Sequence, residues 1–256
     1  AASANPMLRE IIGDKPRVVA LNKRDLADET MTRRWLEHFR AKKIPAVALD
    51  SVSGKGMKEL LTLIEREAKY RTERLVSKGV AARKARVMIL GIPNVGKSSL
   101  INRLAGAAKA KTADKPGVTR AKQWIRIGAD VDLLDTPGIL WPKFEDPRVG
   151  LKLAFTGAVN DEIYDLESVA HLLLATLRRD HQERLQERFK FKEALPETTE
   201  GLMDAIGRKR GCLLKGGRID FEKVQHILLA EFRMGKFGKI SLDVPPTEAA
   251  EEVDDG

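Results

Sequence analysis

One octapeptide restricts this chain more than any other feature: Gly91-Ile92-Pro93-Asn94-Val95-Gly96-Lys97-Ser98, a complete GxxxxGK[ST] pattern. It follows the short apolar run Arg86–Leu90 (RVMIL) and opens a run with helical spacing, Lys97–Ala107. A strand, a glycine-rich turn and a helix in that order let backbone N–H groups curl around phosphate oxygens, and the helix N-terminus adds positive potential. In that setting Lys97 is placed to reach β- and γ-phosphates and Ser98 to ligate Mg²⁺. Asn94, Val95, Gly96 and Ser99 complete the expected cradle.

A phosphate loop does not choose a base. Asn22-Lys23-Arg24-Asp25, which follows the β-rich run Arg17–Leu21, supplies a candidate for that choice. A carboxylate such as Asp25 accepts two hydrogen bonds from the N1–H and N2–H₂ edge of guanine. Adenine offers no such donor pair, and a buried unpaired carboxylate would penalise it. Asn22 is expected to hold the loop and contact the base, with Lys23 packing its stem on the ring and Arg24 beside it. Ser51-Val52, after the apolar run Ile44–Leu49, fits a second base-contacting loop in which a backbone N–H meets the base oxygen.

Asp135-Thr136-Pro137-Gly138 ends the run Val131–Leu134. Asp135 is expected to reach Mg²⁺ through water and the Gly138 N–H to sense the γ-phosphate. Between the phosphate loop and this motif lies Thr119, the candidate switch threonine that closes over Mg²⁺. Lys97, Thr119 and Gly138 are thus the catalytic candidates. Many GTPases follow this glycine with a glutamine that orients the attacking water. Here Ile139 stands there and cannot, so intrinsic hydrolysis is expected to be slow. The usual order in small GTPases is P-loop, switch threonine, DxxG, NKxD and serine loop, whereas here NKRD and Ser51 come first. Joining the old ends and opening new ones at a surface loop would preserve the site.

Short apolar strands alternating with helical segments predict an α/β domain with a mostly parallel sheet covered on both faces, a circularly permuted P-loop GTPase domain over residues 1–147. Helices are expected at Glu29–Lys42, with Trp35, Leu36 and Phe39 on one side, and at Gly56–Ser77; Gln123–Ile127 and Val131–Leu134 form a strand pair. A G domain normally carries one more strand, expected between the DxxG and NKxD strands and upstream of Ala1. After Pro147 only helical patterns follow: Asp165–Arg179, His181–Phe189, Thr199–Arg210 and Asp220–Met234, with Asp220 as an N-cap, giving an all-α domain over 148–242. The stretch 243–256, with Pro245-Pro246 and acidic residues, reads as a disordered tail.

The formal charge of +9 is clustered: eight basic against two acidic residues in Arg66–Arg86, and nine against three in Ala205–Ile240. Such clusters fit either a polyanionic partner or solvated helix faces. The single cysteine, Cys212, reads as a small buried helix residue and suits a reducing cytosol. There is no apolar run of membrane-spanning length, no secretory signal at the start, and no metal-ligand spacing among the four histidines. Trp124 and Trp141 flank the switches, for packing or for RNA contact.

Long runs also resemble a known family. Ile92–Leu104 (IPNVGKSSLINRL), Asp135–Asp146 (DTPGILWPKFED), Asp204–Gly217 (DAIGRKRGCLLKGG) and Lys236–Asp243 (KFGKISLD) look like the YlqF/RbgA group of circularly permuted GTPases, ribosome-biogenesis factors of the large subunit. The resemblance implies GTP and GDP as ligands, a cytoplasmic protein monomeric when free, a helical RNA-binding domain, and an immature large ribosomal subunit with its rRNA as partner. It further implies a K⁺ contact at Asn94, which as a residue type equally forms turns. Family members begin with a longer segment carrying a DAR-like strand end and a histidine proposed as catalytic helper, neither of which is in this sequence. A rival reading is a GTP-sensing RNA-binding placeholder whose hydrolysis is incidental.

Overall fold

The computed structural model describes residues 12–13, 15–79, 81, 84–106, 123–127, 131–135, 147–159 and 164–246. The chain divides into two compact units, one within Ser3–Pro142 together with Ser241–Gly256, the other within Lys143–Ile240.

In the first unit the described elements run β1 (Val19–Leu21), α1 (Glu29–Ala41), β2 (Ala46–Ala48), α2 (Met57–Val76), β3 (Ala85–Met88), α3 (Lys97–Leu104), β4 (Gln123–Ile127) and β5 (Val131–Asp135). β1 and β2 pair in parallel, Val19 opposite Ala46 and Leu21 opposite Ala48. β3 pairs in parallel with β5, Ala85 opposite Val131 and Met88 opposite Leu134. β4 returns antiparallel on β5, Ile127 opposite Val131. Parallel neighbours need a crossover, and α1 supplies it between β1 and β2.

Two features differ from the single sheet expected. Among the described residues the strands form two sheets, β1-β2 and β3-β5-β4. Moreover, β5 is bonded on both sides, by β3 and by β4. A strand has two edges, so no further strand can pair beside the DTPG strand. The edge left open in that sheet next to the P-loop belongs to β3. One apolar core nevertheless joins both sheets. Val47 and Leu49 beside β2, Met57, Leu60 and Ile64 of α2, Leu100, Ile101 and Leu104 of α3, and Ile127, Val131 and Leu133 pack together. Burial of each large aliphatic side chain contributes about 1.5–3 kcal/mol, and this core sets α2 and α3 against the strands whose ends carry the loops.

α1 starts at an Asp28 N-cap whose side chain accepts from the Met31 N–H, and it buries none of its residues fully. Its Trp35, Leu36 and Phe39 are half-buried. Part of that cover comes from the far end of the chain. Trp35 Nε1 donates to the Asp243 carbonyl at 3.2 Å, and Pro245 is buried. The segment read as the start of a disordered tail is therefore ordered through Pro246, because an indole N–H and an apolar helix face give it partners.

The second unit holds α4 (Pro147–Phe155), α5 (Leu166–Asp180), α6 (Gln182–Phe189), α7 (Thr199–Arg210) and α8 (Phe221–Arg233). Asp165, Thr198 and Asp220 cap α5, α7 and α8 by accepting from the N–H of Ser168, Gly201 and Lys223. Leu173, Leu174 and Leu177 of α5, Ile206 of α7 and Leu228 of α8 lie in its interior. Gly207 is what lets α7 close on its neighbours, since a Cβ there would sit 2.7 Å from Ile219 Cγ2 and 3.0 Å from Val224 Cγ2. Cys212 is buried as expected, though just beyond α7, where its N–H donates to the Gly207 carbonyl past the left-handed Gly211. No helix among the described residues is long and apolar enough to cross a membrane.

Candidate functional site

The site is built from loops at the C-terminal ends of β1, β2 and β3. The loop after β1 holds Asn22, and its side chain is the hub. Asn22 Nδ2 donates to the Val95 carbonyl of the P-loop at 2.8 Å and to Ser51 Oγ at 3.1 Å. Asn22 Oδ1 accepts from the Ser51 N–H at 3.0 Å. One amide thus ties together three loops separated by 29 and 73 positions in the chain. Ser51 is only 5% exposed, so its bonds are protected from water.

The P-loop is shaped for this contact. Gly96 has φ +93°, and a Cβ there would lie 2.3 Å from Asn22 Nδ2. Asn94 also has positive φ, at 55°, a conformation asparagine tolerates better than most residues. α3 then begins with no side-chain cap and no acidic residue in its first turn. Its first N–H groups and the positive end of its dipole are what an anionic ligand would meet. Lys97 Nζ donates to the Ile92 carbonyl at 2.7 Å, so the ammonium is held against its own loop. Ser98 and Ser99 follow in that first turn.

The base-loop side is equally constrained. Lys23 has φ 59°, and the Arg24 N–H donates to the Leu49 carbonyl at 3.1 Å, setting the NKRD loop against the end of β2. Asp25 lies between two turn bonds, Leu26 N–H to the Lys23 carbonyl and Ala27 N–H to the Arg24 carbonyl. In the second loop both backbone N–H groups are already engaged, that of Ser51 by Asn22 and that of Val52 by Asp50 Oδ1 at 2.8 Å. A base oxygen expected to meet an N–H here has to share or displace one of these bonds.

Asp50 and Arg103 were not singled out in the sequence, and both order this loop. The Ser53 hydroxyl holds the Asp50 carboxyl below its usual range against the opposing effect of burial, helped by the N–H groups of Val52 and Ser53 and, least, by the Arg103 charge. Arg103, from the last turn of α3, donates through Nε to the Ser51 carbonyl at 3.4 Å and through Nη2 to the Val52 carbonyl. The Asp50-to-Ser53 spacing is a legible turn signature. Nothing local announces Arg103.

Asp135 ends β5, one residue past the pair Met88–Leu134. Since β3 and β5 run in parallel, that strand end and the P-loop after β3 lie at the same end of the sheet. Ser98 and Asp135 offer hydroxyl and carboxylate oxygens, the hard donors that Mg²⁺ takes. Thr119, Gly138, Ile139 and Trp141 lie outside the described residues.

A family model described as 50S ribosome-binding GTPase matches residues 86–200, from the P-loop strand into the helical unit. The chain is 48% identical over 254 residues to a protein named ribosome biogenesis GTPase A from Bacillus cereus, covering 99% of this chain and 85% of that one. To the protein of that name from Thermotoga maritima it is 30% identical, over 90% of this chain and 77% of the other. Among solved structures it is similar to the GNP-bound YlqF of T. maritima, with a TM-score of 0.60 and 28% identity over 89% of this chain and 81% of that one. A P-loop GTPase fold of mixed α/β type is thereby shared. At such identity over nearly its whole length, the chain belongs to the ribosome biogenesis GTPase A family and is a GTP hydrolase.

Proposed function

We propose that this protein is a circularly permuted GTPase that converts GTP to GDP and phosphate as a timing switch in assembly of the large ribosomal subunit. It acts in the cytoplasm, monomeric when free, and docks on the rRNA of precursor particles through its basic helical unit. The observation that carries the reading is the Asn22 side chain, which bonds a P-loop carbonyl and the Ser51 loop at once. Base-recognition and phosphate loops that come in reversed order along the chain are therefore adjacent in space, as a permuted pocket demands. The relatives' names, ribosome biogenesis GTPase A, support the assembly role. The surplus of basic residues in Ala205–Ile240 supports a polyanionic partner.

In this reading Asp25 accepts from the guanine N1–H and N2–H₂ while Lys23 covers the ring and Asn22 with Ser51 and Val52 frames the base edge. Lys97 exchanges the Ile92 carbonyl for β- and γ-phosphate oxygens, because a charged acceptor makes the stronger bond. The N–H groups opening α3, from Gly96 through Ser99, take the remaining phosphate oxygens. Ser98 and Thr119 would hold Mg²⁺, with Asp135 reaching it through water, and the ion would neutralise charge on the phosphates. Asn94 contributes a K⁺ contact beside them, and the Gly138 N–H senses the γ-phosphate. With Ile139 where an orienting glutamine commonly stands, the water is positioned by a group from the bound particle, so hydrolysis waits for docking. Loss of the γ-phosphate frees the DTPG segment, which leads directly into the helical unit.

GTP turnover measured with and without purified large subunits tests this. The expected result is stimulation of about tenfold or more. An unchanged rate contradicts the ribosomal assignment. Lys97→Ala and Ser98→Ala should bind particles yet fail to support assembly; if assembly proceeds normally with either, hydrolysis is incidental and the placeholder reading holds.

A further inference from the structure

The run Lys236–Asp243 (KFGKISLD) is unlike anything the nucleotide pocket requires, yet its end is anchored beside that pocket. Ser241 Oγ accepts from the Asp28 N–H at 3.2 Å, across 213 positions of chain. Asp28 is the N-cap of α1, its own Oδ1 accepting from the Met31 N–H at 2.8 Å. It stands three residues after Asp25, joined to it by the turn bonds that close on the Lys23 and Arg24 carbonyls. Two residues beyond Ser241, the Asp243 carbonyl accepts from Trp35 Nε1 at 3.2 Å. That indole stacks on Phe39 at 5.9 Å and meets His38 edge-on at 5.5 Å, so the anchor is itself held. Pro245 is buried next along the chain.

These contacts matter because they hold α1 at the end where the loop Asn22–Asp25 leads into it. The helix buries none of its residues fully, and the loop before it carries a left-handed lysine, Lys23, a conformation that L residues rarely adopt. A loop in such a conformation binds ligand tightly only if its geometry is fixed beforehand. Otherwise the ordering cost is taken from the binding free energy.

We propose that Ser241–Pro246 is a positioning strap for the base-recognition loop, with Ser241 and Trp35 as its positioning residues: it fixes the exit of Asn22–Asp25 through Asp28 and so sets guanine affinity and selectivity. The inference rests on the assignment of Asp25 as the guanine acceptor. It also has a structural corollary. The strap follows the last residues of the helical unit without a break, Ile240 to Ser241, so the base side of the pocket has its own covalent link to that unit, separate from the link through the DTPG segment.

Equilibrium titration of the full chain with GTP and with ITP tests the proposal. Inosine lacks the guanine N2 amino group and so makes one bond to Asp25 instead of two. Ser241→Ala should weaken GTP binding about fivefold, the worth of one hydrogen bond, and weaken ITP binding less, because a loosened Asp25 gains less from the second donor. The ratio of ITP to GTP dissociation constants therefore falls. Trp35→Phe should act in the same direction, and Ser241→Thr, which keeps the hydroxyl acceptor, should restore both affinity and ratio. A strap with a purely structural role would lower thermal stability in these variants and leave the ratio untouched; that result overturns the proposal, as does unchanged GTP affinity in the Ser241→Ala, Trp35→Phe double variant. A native protein that binds ITP as tightly as GTP overturns the assignment of Asp25 itself, and the strap proposal with it.

Discussion

At the scale of single residues the account turns on close approach. Gly96 faces the Asn22 amide with room for a hydrogen and nothing more, a Cβ falling 2.3 Å from Nδ2 at a φ of +93°. Gly96→Ala should therefore displace Asn22, giving up hydrogen bonds worth about 1 kcal/mol each and adding about 1–2 kcal/mol of left-handed strain. Nucleotide titration should show GTP affinity lower by about a hundredfold, with the helical unit intact by circular dichroism. Asp50 gives a pH signature. Its folded-state carboxyl is depressed below the ordinary carboxylate value of 3.8, by the Ser53 hydroxyl first. The bonds it makes to the second loop stabilise the fold fully above that value and are lost as pH falls through the lower folded one. Native protein should then exceed Asp50→Asn in denaturant stability by a constant margin from neutral pH down to about 5; the margin should shrink as pH falls below 3.8 and vanish only below the lower folded-state value. Much of this residue-level picture was legible in sequence. NKRD and GIPNVGKS are contiguous strings whose chemistry follows from residue type. Ser51 became meaningful only once those strings framed it. Arg103 and Ser241 were not legible, because their partners lie 52 and 213 positions away.

Among elements, most helices were readable from periodicity and strands from short apolar runs, with ends moved by a few residues; the helix Pro147–Phe155 was not among those expected. The run Lys97–Ala107 ends as a helix at Leu104, and Val131–Leu134 extends through Asp135. Pairing was not readable. Which strand borders which is fixed by contacts between distant segments, and the expectation of a partner beside the DTPG strand gave way to a β5 bonded on both sides. The helical unit shows the same limit in its ion pairs. Glu231 of α8, 9% exposed, accepts a bidentate pair of bonds from Arg188 of α6 at 3.0 and 2.7 Å and another from Arg210 of α7 at 2.7 Å. The Arg210 guanidinium also lies 5.2 Å from the centre of the Phe189 ring. These residues looked like ordinary helix charges in sequence, yet they tie three helices together. Removing the shared acceptor strands two arginines, so Glu231→Ala should destabilise the helical unit by about 3 kcal/mol in urea unfolding, with GTP affinity unchanged.

Over the whole molecule, chain order and spatial order part company, and function depends on the spatial one. The loops at Asn22–Asp25 and Ser51 precede the P-loop in sequence, yet Asn22 reaches Val95 at 2.8 Å. The chain enters the helical unit after the DTPG segment and returns from it at Ser241 to the helix that follows the base loop. The chain thus passes between the two units twice, once after the DTPG segment and once before Ser241. The most direct measurement of the shared pocket is equilibrium binding of GTP and XTP to Asp25→Asn. Xanthine presents a carbonyl where guanine has its amino group, and an asparagine amide can donate to it. The account predicts that preference inverts from GTP to XTP. GTP bound to Asp25→Asn as tightly as to the native protein would contradict it, since the loop after β1 would then have no part in the site that the P-loop forms.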